Sequence, residues 1–75
     1  MAKKFSQSIK RHVGYSEKRS PEYNVALGRS KGYSYLRIGR ELNIIANLEH
    51  GTNPKGARVF RKSAQLAFRL HDENR

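Results

Sequence analysis

The side chains able to do chemistry are poorly arranged for catalysis. The acidic residues are Glu17, Glu22, Glu41, Glu49, Asp72 and Glu73. No two of them share an apolar setting that would push one carboxyl up and leave its neighbour ionised, the arrangement acid–base pairs need. Glu49 and His50 are adjacent, but consecutive residues on a helix point in different directions. His12, His50 and His71 lack metal-ligand spacing, and the chain has no Cys to supply a thiolate. No G-x-S-x-G elbow and no G-x-x-x-x-G-K-[ST] phosphate loop occurs. A protein without enzymatic activity, cofactor or metal is expected.

The cations are more informative. Sixteen Lys and Arg stand against six Asp and Glu, a net charge of +10 on 75 residues. Such a charge repels itself in a compact chain unless something negative lies close by. Nucleic acid is the usual partner, because neutralising phosphates releases condensed counterions whatever the base sequence. An acidic protein is the next choice, and no membrane partner is expected.

On a helical wheel starting at Lys55, the residues Lys55, Arg58, Arg61, Lys62 and Arg69, with Gln65 among them, share a strip about 120° wide. Ala57, Val59, Phe60, Ala64, Leu66, Ala67, Phe68 and Leu70 fill an arc of about 200°. The preceding segment segregates in the same way. Leu42, Ile44, Ile45, Ala46 and Leu48 face one side, and Arg40, Asn43, Asn47 and His50 form a polar stripe. Strip cations would contact phosphates, while Arg40, Asn43 and Asn47 could read base edges or 2′-hydroxyls.

A second group lies upstream. Residues 11–19 and 29–37 both read R-x-x-G-Y-S-x-x-R. In this pattern a glycine turn would present one ring for stacking, Tyr15 or Tyr33, between cations such as Arg11, Arg29 and Lys31. Tyr23 and Tyr35 also lie among basic residues, with Tyr35 equally suited to a core position. The interleaving of Tyr, Gly, Ser and Arg favours RNA or single strands slightly over duplex DNA.

These side chains need elements to carry them. The spacing predicts a mostly α-helical, small single domain over 1–75, with an antiparallel helix pair at roughly 39–50 and 53–71. Gly51 would end the first helix in the left-handed conformation, and Asn53-Pro54 would cap and open the second. Ser20-Pro21-Glu22 opens an earlier short helix through Val25, Ala26 and Leu27 that stops near Gly28 or Gly32. Phe5, Ile9 and Val13 sit at i, i+4 and i+8 of a short helix or a basic tail.

Residues 1–33 carry eight basic and two acidic side chains and few aliphatic ones, and so read as a basic, partly irregular arm with short helices leading into a helical core at 34–75. An apolar arc as wide as that of residues 57–70 needs two covers. The first is the preceding helix, and the second is either the N-terminal part or a second copy in a homodimer. A core this small supplies about 3–5 kcal/mol of net stability, which makes self-association or a bound partner useful.

Residues Tyr33-Ser34-Tyr35-Leu36-Arg37-Ile38, followed by Gly39-Arg40-Glu41-Leu42, resemble the strand and first helix of ribbon-helix-helix repressors. The resemblance implies a strand at 33–38 with Leu36 and Ile38 inward and with Tyr33, Tyr35 and Arg37 facing a DNA major groove. It also implies a dimeric regulator on a palindromic site. A third possibility is a small inhibitor or accessory protein docking on an acidic protein such as a nuclease or polymerase. Met1 to Phe5 is charged and no apolar stretch of signal-peptide length follows, so the expected location is cytoplasmic, the host cytoplasm if a virus or mobile element encodes it.

Overall fold

The computed structural model describes residues 10 and 12–74. Helix α1 spans Pro21–Ser30, α2 Tyr35–Glu49 and α3 Pro54–Glu73, and no strand occurs among the described residues. The protein is mostly helical and compact, with a radius of gyration of 11.2 Å. No helix among the described residues is long and apolar enough to cross a membrane.

Each helix starts where a short polar side chain meets an orphan backbone donor. Ser20 Oγ accepts from Tyr23 N at 3.1 Å, and Pro21 occupies the first helical position, where its missing N–H is no loss. Asn53 caps α3 in the same way, its Oδ1 accepting from Gly56 N at 3.2 Å ahead of Pro54. Ser34 caps α2, its hydroxyl accepting from Arg37 N at 3.1 Å.

That last cap overturns the strand at 33–38. Residues 35–38 are the first turn of α2. Ile38 is buried because it begins the helical series Ile38, Leu42, Ile45, Ala46 and Glu49, not because strand residues alternate. Gly39 does not mark a boundary. It lies inside α2, where an added Cβ would fall 2.6 Å from the Phe68 ring, so its small size admits the α3 side chain. With residues 35–38 helical, the strand that the resemblance to ribbon-helix-helix repressors implies does not form.

The helix ends bring a second correction. Gly51 has no positive φ; the glycines that do are Gly14 at 96° and Gly32 at 85°. After α2, Asn53 N donates to the Glu49 carbonyl at 2.7 Å, which closes the turn without a left-handed residue. Gly32 instead ends α1. Its N–H donates to Arg29 O at 2.9 Å and Tyr33 N donates to Gly28 O at 3.1 Å, the paired bonds of a Schellman stop.

Phe60, Ile38, Leu42 and Ile45 centre the core, joined by Ala46, Ala64 and Ala67 from α2 and α3 and by Val13, Tyr15 and Val25. The second cover of α3 therefore comes from the chain's own N-terminal part. Phe5 and Ile9, read with Val13 as a helix edge, lie outside the described residues. Buried Asn24 ties this part down: its Oδ1 accepts from Ser16 N at 2.9 Å, and its Nδ2 donates to Ser16 O at 3.0 Å and Ser63 Oγ at 3.3 Å. A buried amide with every contact satisfied fixes a loop far more specifically than an apolar side chain would.

Candidate functional site

Lys55, Arg58, Arg61, Lys62, Gln65 and Arg69 are all exposed along α3, while Ala57, Phe60, Ser63, Ala64 and Ala67 of the same helix are buried. Twenty residues of unbroken helix therefore separate a cationic face from a packed one. Arg69 has an exposed i,i+4 partner, Glu73, with Nε 3.8 Å from Oε1, a pair worth little in water. Among the described residues no carboxylate forms an ion pair with Lys55, Arg58, Arg61 or Lys62.

The polar stripe of α2 runs beside this strip. Arg40 and Asn47 are exposed and Asn43 is half-buried. Arg61 Nη2 donates to Asn47 Oδ1 at 3.3 Å, which brings the two stripes into contact. The apolar side of α2 is only partly covered: Leu42, Ile45 and Ala46 are buried, Leu48 is half-buried, and Ile44 is 41% exposed.

The upstream candidates form a separate cluster of stacked pairs. The Arg37 guanidinium lies 3.8 Å from the Tyr33 ring centroid, and its Nε lies 3.5 Å from Glu41 Oε2. Arg29 lies 4.6 Å from the Tyr35 ring centroid and donates from Nη1 to Tyr33 O at 3.0 Å. Arg19 covers Tyr23 at 4.9 Å, four residues apart on the chain. Tyr33 Oη is 3.0 Å from His12 Nε2. Lys31 is exposed beside the Gly32 turn, and Arg11 lies outside the described residues.

Tyr15 is not a stacking platform. Its ring is 4% exposed, and its hydroxyl donates to Glu41 Oε1 at 3.0 Å. Burial pushes this hydroxyl well above the usual phenol range, and the Glu41 carboxylate, by its charge and as the acceptor of the bond, pushes it further. The repeated R-x-x-G-Y-S pattern thus has a shared backbone basis, a left-handed glycine in each copy, while its two tyrosines have different fates.

Sequence reasoning missed a polar knot under the turn between α2 and α3. Glu49 is 5% exposed, and its Oε2 lies 3.0 Å from Lys10 Nζ. Asn53 Nδ2 donates to Glu17 and, at 3.5 Å, to Glu49 Oε1. These residues are up to 43 positions apart, so only a tertiary contact could reveal them. A cleft of about 500 Å³ is lined by Glu22, Val25, Ala26 and Arg29 of α1, Tyr35 of α2 and Leu66 and Leu70 of α3.

Comparison with family models, with curated proteins and with solved structures returned no match.

Proposed function

We propose that this chain binds nucleic acid without catalysing a reaction, gripping phosphates along α3. The observation that carries the reading is the exposed strip of Lys55, Arg58, Arg61 and Lys62, whose charges no carboxylate neutralises among the described residues. Unneutralised cations held on one face of a helix offer a polyanion counterion release at little conformational expense. Arg40, Asn43 and Asn47 extend the surface across α2. Two contacts support reading α2 and α3 as an antiparallel pair: Gly39 meets Phe68, and Asn47, further along α2, meets Arg61, further back on α3.

The test is the Arg58→Ala/Lys62→Ala double variant. It keeps its helicity and melting behaviour, since both side chains are exposed, but loses affinity uniformly across sequences. Between about 50 and 200 mM salt the native protein's affinity falls steeply, and the variant's log–log slope is shallower by about two. A folded double variant that binds like the native protein removes the strip from the site.

A second reading, docking on an acidic protein, draws on the cleft that Arg29 lines together with Glu22 and the apolar Val25, Leu66 and Leu70. An apolar contact of that kind predicts a binding constant that changes little with salt.

A further inference from the structure

We infer that the ligand of the α3 strip is a double-stranded nucleic acid, bound by its phosphate ridges, and not a single strand. The inference rests on the nucleic-acid reading above and reverses the strand preference that residue composition suggests. Single strands are held by stacking bases on free aromatic rings beside a basic groove. The tyrosines among the described residues do not offer that combination. Tyr15 is buried and hydrogen-bonded to Glu41, Tyr33 and Tyr35 are half-buried with Arg37 and Arg29 over one ring face each, and Tyr23, 43% exposed, has one face taken by Arg19. Phe60 is wholly buried, and Phe68 packs against Gly39.

What the surface does offer is rigid and flat in its chemistry. Lys55 and Arg69 are fourteen residues apart on one continuous helix, so at 1.5 Å per residue the strip is about 21 Å long. The Asn47–Arg61 contact widens it onto α2, adding an interhelical spacing of about 8–10 Å. A duplex carries about one phosphate charge per 1.7 Å of axis at fixed positions. The duplex array is preorganised and the helix backbone fixes the spacing of the cations, whereas a single strand would have to surrender its chain freedom with few open ring faces to stack on among the described residues. Donors that face phosphates rather than bases imply little dependence on sequence.

The experiment uses the full chain and four fluorescent oligonucleotides of one length and one sequence: duplex DNA, duplex RNA, single-stranded DNA and single-stranded RNA. Anisotropy is followed at two salt concentrations. The expected result is duplex binding at least about tenfold tighter than either single strand, with a steep salt slope and little change when the sequence is scrambled. The DNA and RNA duplex arms show which backbone geometry the strip fits better, and a preference for either supports the inference. Single strands bound as tightly as duplexes, or more tightly, overturn it while leaving the nucleic-acid reading intact. Absence of salt-dependent binding in all four arms removes that reading and the inference together.

Discussion

Arg61 Nη2 donates to Asn47 Oδ1 at 3.3 Å, and this one bond joins the polar face of α2 to the cationic face of α3. Both side chains are exposed, so the bond contributes little to folding and its value lies in placement. Asn47→Asp puts a carboxylate beside Arg61 and removes one cation from the strip. Polyanion affinity is expected to fall and the log–log salt slope to lose about one, with thermal stability unchanged. Asn47→Ala, which removes a polar contact but no charge, is expected to weaken binding modestly and to leave the salt slope and the thermal stability unchanged. Equal binding by the Asp variant and the native protein would take Arg61 out of the contact surface.

Tyr15 links the N-terminal segment to α2 through its bond to Glu41. Because the folded state holds its hydroxyl above the unfolded value, the contribution from this group is whole below the unfolded phenol range. It is lost as pH rises beyond about 10, since only the unfolded chain then readily releases the proton. Denaturant midpoints measured upward from neutral pH should fall in that range. Tyr15→Phe should cost about 1 kcal/mol at neutral pH and should flatten the alkaline decline. A variant with the native protein's full alkaline decline would show that other groups govern it.

Gly39 and Phe68 test the helix contact. Alanine is a better helix former than glycine by about 1 kcal/mol, yet the new methyl would lie 2.6 Å from the Phe68 ring. Overpacking of this kind costs about 1–3 kcal/mol, so Gly39→Ala is expected to destabilise on balance. Gly39→Ala/Phe68→Leu should be less destabilised than the two single changes added together, because the smaller side chain relieves the clash. Strict additivity in denaturant titrations would mean that the two positions do not touch.

Two glycines expected to behave alike should differ. Gly32 has a φ of 85°, and Gly32→Ala should lose about 1 kcal/mol because a Cβ is strained there. Gly51 lacks a positive φ, and an added Cβ there meets nothing within 4 Å. Gly51→Ala should therefore be neutral or gain up to about 1 kcal/mol by restricting the unfolded chain. Matched melting curves of the two variants decide the point; a reversed order would contradict the turn geometry.

Phe60→Ala is the severe case. Phe60 is wholly buried in the core, and its truncation costs about 3–5 kcal/mol, comparable to the whole stability expected of so small a core. Circular dichroism should show the variant largely unfolded at room temperature.

Local grammar was legible without coordinates. Ser20-Pro21 and Asn53-Pro54 start helices because their hydroxyl or amide oxygen reaches a nearby backbone N–H, a contact made within three residues. The separation of Lys55, Arg58, Arg61, Lys62 and Arg69 from Phe60, Ala64 and Ala67 follows from helical periodicity alone, and the exposure of each matches it. Local pattern misleads where a residue has two local meanings. Gly39 reads as a helix start or as an interior contact, and Leu36-Arg37-Ile38 reads as alternation or as a helical turn; Phe68 and Ser34 settle which.

Periodicity and capping are short-range properties, so this sequence by itself determined the helices that follow Ser20 and Asn53, the cationic face of α3 and the size of the apolar face behind it. Which groups are left free to meet a partner was decided only by the tertiary structure. Tyr15 was withdrawn into the core, the other three tyrosines each gained an arginine over one ring face, and Lys10 was drawn onto buried Glu49. Burial and charge pairing depend on distances between residues far apart on the chain, and those distances exist only once the helices have packed.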